Sequence, residues 1–143
     1  SASRAQIVEE VIRPHLKSGG LVICDRFFDS TYAYQGYGHG LDLNQLKMIT
    51  EFATGGLKPD LTILLDIAPE DSLQRRLSAL DKGGEWNRLD AMALDFHKRV
   101  RDGYHSLVNA EPHRWQVVNA AQTVEQVQAD ILLVLEKRLN TPK

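Results

Sequence analysis

The chain has 143 residues, the size of one ordinary domain, with hydrophobic residues at 43% and charged residues at 25%, near the average for a globular protein. Its 17 Lys plus Arg against 19 Asp plus Glu leave a formal charge of −2, which excludes nucleic-acid binding held mainly by bulk positive charge. No apolar run nears the ~20 residues that span a bilayer, no signal-peptide pattern opens the chain, and the single Cys24 rules out an internal disulfide framework, so the expectation is a cytoplasmic domain with no membrane partner.

Ser1 to Lys17 reads as a helix, because Ala5, Val8, Val11, Ile12 and Leu16 recur at steps that share a face. Pro14 should bend it or end its regular hydrogen bonding early, and Gly19-Gly20 should stop it. Leu21-Val22-Ile23-Cys24 is a continuous apolar run, the pattern of a strand buried on both faces. It ends in two charges, Asp25-Arg26. Phe27 to Leu41 reads as a loop rich in aromatics, hydroxyls and glycines.

Asp42 with Gln45 predicts the N-cap of a helix whose apolar face is Leu43, Leu46, Ile49 and Phe52, closed by Gly55-Gly56. Leu61 to Ile67 predicts a second strand, with Asp66 near its end. Pro69 starts the next helix, with Glu70 and Asp71 complementing its dipole and Leu73, Leu77 and Leu80 facing inward. Lys82-Gly83-Gly84 breaks it. A longer helix spans roughly Leu89 to Val108, with Leu89, Met92, Phe96, Val100, Tyr104 and Leu107 on one side. Trp115 to Val118 is the third strand. Thr123 with Gln126 caps a last helix that carries Val124, Val127, Ile131, Val134 and Leu135 inward. This order is the signature of a parallel α/β layer, with right-handed crossovers putting helices on both faces. One domain, 1–143, without repeat or linker, is the expected organisation.

In an open parallel sheet, ligands collect at the carboxyl ends of strands, where Asp25-Arg26 stands. An arginine fork grips a phosphate with two hydrogen bonds, and a strand-end aspartate holds a metal-bound water or orients a partner. Ser30, Thr31, Tyr34 and Gln35 follow within ten residues. A nucleoside monophosphate asks for that set: a cation, a ring face, and amide or hydroxyl groups for base edges. Between Gln74 and Arg101 seven basic residues face four acidic ones, which suggests a local anion site. The five histidines show no metal-ligand spacing, and Cys24, inside the expected strand, reads as packing. Trp86 reads as a ring that packs on the next helix or covers the closed site.

The stretch Asp25-Arg26-Phe27-Phe28-Asp29-Ser30-Thr31-Tyr32-Ala33-Tyr34-Gln35-Gly36 resembles the Asp-Arg-aromatic, Ser-x-x-Ala-Tyr-Gln segment of thymidylate kinases. Ser3-Arg4-Ala5-Gln6 resembles that family's arginine-bearing helix, and Lys58-Pro59-Asp60-Leu61-Thr62 through Leu65-Asp66 its next strand. Ser72-Leu73-Gln74-Arg75, Asn87-Arg88-Leu89-Asp90 and Phe96-His97-Lys98-Arg99-Val100 resemble its lid, about 80–90, and the helix after it. The resemblance implies a P-loop nucleoside-monophosphate-kinase-like parallel sheet and phosphoryl transfer from Mg-ATP to dTMP, giving dTDP. It implies Arg26 on the acceptor phosphate and Asp25 on the Mg2+, indirectly through a water. It further implies Arg4, Ser30, Thr31 and Gln35 on base or sugar, and Tyr34 closing on the deoxyribose. Arg75, Arg88 and Asn119 fall on the ATP side, Arg88 as a catalytic lid arginine. A homodimer is the expected assembly, with no nucleic-acid partner.

The chain departs from the family in having Asn87-Arg88 where Asp-Arg is usual, Leu80-Asp81-Lys82 where further arginines are common, and Asn119-Ala120 where Asp is frequent. No Gly-x-x-x-x-Gly-Lys-Ser/Thr occurs within the 143 residues. The resemblance therefore implies the carboxyl-terminal part of a kinase, lacking the N-terminal strand-helix units and inactive alone. A strand missing between those ending at Cys24 and Asp66 would leave backbone groups unpaired, each costing on the order of 1–3 kcal/mol. Two other readings remain: another deoxynucleoside or nucleotide kinase of the same fold, and a non-catalytic nucleotide-binding or self-associating fragment.

Overall fold

The computed structural model describes residues 1–79 and 88–140, the side chains of 76–79 and 88–91 excepted. The chain divides into two compact units, Ser1–Pro59 and Asp60–Lys143.

The first unit is built around a helical rod. Helix α1 (Ala2–Ile7) runs through a widened turn, Val8–Ile12, into α2 (Arg13–Lys17). In that turn the Arg13 N–H reaches back five residues to Val8 O. Pro14 stands one residue further on and can donate no hydrogen bond. A wide turn relieves the clash of its ring with the preceding carbonyls, so the helix continues instead of breaking. Val8 and Ile12 are the buried residues of the rod.

Leu21 to Cys24 form no strand. Leu21 is 60% exposed and Ile23 86% exposed, and Cys24 is exposed as well. Among the described residues the strands pair only with each other, in the second unit. A strand is held by its ladder and by cover on its faces; among the described residues this segment has no ladder, and Val22 alone of its four side chains is half-buried. The expected buried strand is therefore not formed, and Cys24 is exposed and not part of a packed core.

The expected loop at Phe27 to Leu41 is instead largely helical, as α3 (Phe28–Thr31) followed by a wide-turn segment, Tyr32–Gly38. Phe28, Asp29, Tyr32, Ala33 and Gly36 are buried, and they recur as one helix face. The glycines disguise that period in the sequence. Gly36 serves close packing: a Cβ there would overlap Cδ2 of Leu43.

Helix α4 (Leu43–Thr54) starts as expected, with Asp42 accepting from the Gln45 N–H at 2.9 Å. It ends at Gly55, whose φ of 56° is left-handed, a conformation that costs glycine least. Arg13 donates to the terminal carbonyls of Thr54 and Gly55, at 3.1 and 2.8 Å, adding a cation at the negative end of the helix dipole. The buried face is Thr50, Ala53 and Thr54. Leu43 and Leu46 are half-buried, whereas Ile49 and Phe52 of the expected face are exposed.

In the second unit, β1 (Thr62–Asp66) and β2 (Trp115–Asn119) pair in parallel, from Thr62 opposite Trp115 to Asp66 opposite Asn119. Helices α5 (Pro69–Ala79) and α6 (Arg88–Ala110) stand between them in the chain, and α7 (Val124–Leu139) follows. Leu73 and Val100 are buried as the helical pattern predicts, and Phe96, Tyr104 and Leu107 are half-buried, but Met92 is exposed. Leu77, Leu80 and Leu89 of the expected faces lie outside the described side chains. The Thr123–Gln126 capping box forms in both directions. Val127, Ile131, Val134 and Leu135 are half-buried, while Val124 is exposed. The start of β2 is fastened by buried Arg114, which donates to Glu111 Oε2 at 2.7 Å and Thr62 Oγ1 at 3.0 Å and stacks against Trp115. The sheet thus has two strands among the described residues, not the expected three.

Candidate functional site

The first cluster of chemically capable side chains surrounds the Asp25-Arg26 bend. Arg26 has φ of 62°, which costs a residue with a Cβ roughly 1–2 kcal/mol. Such strain persists where the surroundings enforce it, commonly at functional positions. The exposed Arg26 guanidinium carbon lies 5.3 Å from the centre of the half-buried Tyr34 ring, within cation–π range. Helix α3 and its wide-turn extension bring Tyr34 there.

Arg4 enters the same stretch from α1. Its guanidinium sits 5.7 Å over the Phe27 ring and its Nη2 donates to Thr31 Oγ1 at 3.3 Å and to Phe27 O at 3.5 Å. The two arginines are therefore each laid on a ring of one short segment, where a planar cation can still meet an anion or a base edge. Of the other expected site residues, Ser30 is half-buried, and Asp25 and Gln35 are exposed. Asp29, buried at the start of the segment, escaped the sequence reading because an Asp in an apparent loop carries no period.

A second cluster occupies the carboxyl ends of β1 and β2. Asp66 accepts from Arg101 Nε and Nη2 at 2.8 and 2.7 Å, and His105 Nε2 lies 3.1 Å from its Oδ1. Hydrogen bonding from Arg101 holds the Asp66 carboxyl below the ordinary aspartate range, against the opposing effect of burial. Arg101 and His105 are four residues apart on α6, one turn and one face. That spacing beside an acid-ended strand was the available signal. Lys98, one turn earlier, pairs with Glu70 at 2.8 Å.

Opposite Asp66, Asn119 begins the loop to α7. Its Oδ1 accepts from the Ala121 N–H at 2.9 Å. Arg75, on α5, donates to the carbonyls of Ala120, Ala121 and Gln122. Arg88 opens α6, but its side chain, like Leu80 to Asn87 with Trp86, lies outside the described residues. Among the described residues no group of three His, Cys, Asp or Glu side chains is arranged to hold a metal ion, and no helix is long and apolar enough to cross a membrane.

Parallel strands joined through helices, with polar side chains at the strands' carboxyl ends, define an α/β protein. The thymidylate kinase family model matches residues 1–131. The chain is 49% identical over 148 residues to a thymidylate kinase of Roseiflexus castenholzii, covering 97% of this chain and 65% of that protein. It is 44% identical over 164 residues to one of Herpetosiphon aurantiacus, covering 100% and 70%, and 46% identical over 138 residues to one of Deinococcus radiodurans, covering 96% and 65%. The chain belongs to the thymidylate kinase family. It spans 65% of the length of the Roseiflexus relatives.

Proposed function

We propose that the polypeptide to which these residues belong transfers the terminal phosphoryl group of ATP to the 5′-phosphate of dTMP, giving dTDP. The observation that carries this reading is Arg26, strained at φ 62° and seated 5.3 Å over the Tyr34 ring, within the stretch that resembles the family's acceptor site. Family membership supports it independently. The reaction needs positioning and neutralisation of spread negative charge more than covalent help. Arg26 clasps the acceptor phosphate, and Tyr34 lies against the deoxyribose, where a 2′-hydroxyl would collide. Arg4, already bonded to Thr31 Oγ1, reaches the pyrimidine edge, with Ser30, Thr31 and Gln35 beside it. Arg75, Arg88 and Asn119 belong to the ATP side, with Arg88 acting on the transferring group.

Mg2+ travels with ATP, and an exposed carboxylate, Asp25, suits it indirectly, by holding one of the ion's waters. That ion keeps several waters and takes one or two carboxylates besides the substrate phosphates. When bound it screens the phosphate charge. The reaction also needs a phosphate loop that these 143 residues do not contain, so the 143 residues by themselves are inactive in this reading. The overall fold is that of a P-loop nucleoside monophosphate kinase, and a cytoplasmic homodimer goes with it.

The test is calorimetric titration of the full-length protein with dTMP, thymidine and dUMP, alongside ATP turnover. Saturable dTMP binding with turnover is expected. Tight thymidine binding without need of the phosphate would favour a deoxynucleoside kinase. The exposure of Leu21 and Ile23 in an unladdered segment favours a second reading, a non-catalytic fragment that self-associates. Nucleotide binding without turnover, with oligomers in sedimentation, would select that one.

A further inference from the structure

The loop after β2 is held in an uncommon way. The two arms of the Arg75 guanidinium take three successive carbonyls: Nη1 donates to Ala120 O at 2.8 Å, and Nη2 to Ala121 O at 2.7 Å and Gln122 O at 3.2 Å. Three carbonyl dipoles turned to one point repel each other unless a cation sits there. The rest of the loop is tied from other sides. The Ala120 N–H donates to Asp66 O at 2.8 Å and the Ala121 N–H to Asn119 Oδ1 at 2.9 Å. Gln122 Nε2 donates to Asn119 O at 3.0 Å and Asp130 Oδ2 at 2.7 Å. The loop stands at the carboxyl end of a parallel strand, where α/β proteins take their ligands.

We infer that Arg75 is a positioning residue: its fork sets the form of the 120–122 backbone, and its contribution to the donor nucleotide comes through that loop and not through charge placed on a phosphate. The inference rests on the ATP-side reading of Asn119 and Arg75 above, and changes what Arg75 does there. A point charge on a flexible stem cannot span two arms' worth of acceptors, so lysine is no substitute at such a position. This separates the two roles. A charge acting on phosphate survives Arg75→Lys in large part and is lost in Arg75→Gln. A fork shaping a loop is lost in both.

The experiment titrates ADP and, separately, dTMP into the full-length protein and its Arg75→Lys, Arg75→Gln and Gln122→Ala variants, with amide hydrogen exchange read at residues 120–123. The expected result is ADP affinity down about tenfold in both Arg75 variants, faster exchange at 120–123, and dTMP affinity within twofold of the parent. Gln122→Ala keeps the charge of Arg75 and removes the loop's ties to Asn119 O and Asp130, so it should weaken ADP as well, and it serves if the Arg75 variants do not fold. ADP affinity kept by Arg75→Lys and lost by Arg75→Gln would overturn the inference, as would unchanged exchange or an equal loss of dTMP affinity. So would a parent protein that does not bind ADP. Failure of the parent to bind dTMP would instead sink the proposed acceptor and leave the ADP comparison readable.

Discussion

The Asp66 carboxylate receives both Nε and Nη2 of Arg101, at 2.8 and 2.7 Å, which ties the end of β1 to the middle of α6. Asp66 has its folded pKa lowered, chiefly by that hydrogen bonding. Its stabilising effect is therefore complete above the unfolded aspartate value of about 3.9, and fades as pH falls through the lower folded value. Arg101→Met should cost about 1–2 kcal/mol at neutral pH, allowing for a partly exposed pair. The gap between variant and parent in denaturant unfolding should close as pH drops below the ordinary aspartate range. A gap that holds constant through acid would mean the pair is not what the substitution removes.

Arg26 combines strain with exposure, which separates its stability effect from its function. Arg26→Ala keeps a Cβ at φ 62°, whereas Arg26→Gly relieves it, so the glycine variant should be about 1 kcal/mol the more stable of the two. Both should lose about a hundredfold or more in turnover of the full-length enzyme, since the charge stabilisation goes in either case. Thermal unfolding and steady-state kinetics on the same two proteins check this. A loss below threefold removes Arg26 from the acceptor phosphate.

Arg4 touches Thr31 and Phe27 and has no proposed contact with the transferring group. Arg4→Ala should raise the KM for dTMP more than it lowers kcat, a pattern of lost ground-state binding. Unchanged dTMP affinity would take Arg4 out of the site.

Gly36 packs where a Cβ would meet the far end of the Leu43 side chain. Because that atom can move, Gly36→Ala should destabilise only about 1–2 kcal/mol. The double variant with Leu43→Ala should cost less than the sum of the singles in a denaturant cycle. Strict additivity would show that the overlap is relieved elsewhere.

The sequence shows its local codes best. Asp42 with Gln45 and Thr123 with Gln126 announce helix starts because a cap is satisfied within four residues. The strands at Thr62 and Trp115 were legible because each finds its ladder in the other. Leu21 to Cys24 carries the same apolar pattern, but pattern alone does not supply a ladder. The helix at Phe28–Gly38 was hidden by glycines that pack tightly, as at Gly36 against Leu43. Within the site, Arg26 meets Tyr34 and Arg4 meets Thr31, contacts that the residue types of the motif make legible. The Asp66–Arg101 and Arg75–Ala120 contacts join residues 35 and 45 positions apart, a separation that no local spacing encodes.

The widened turn before Pro14 also sets an angular phase. One extra residue in a turn rotates everything beyond it by about 100°, so Arg4 and Arg13 leave the rod in directions that an unbroken helical repeat would not give them. One guanidinium meets Thr31 and the other the end of α4. The irregularity thus works as a gearing: regularise the coil, and an arginine at one end can keep its grip only by surrendering the other.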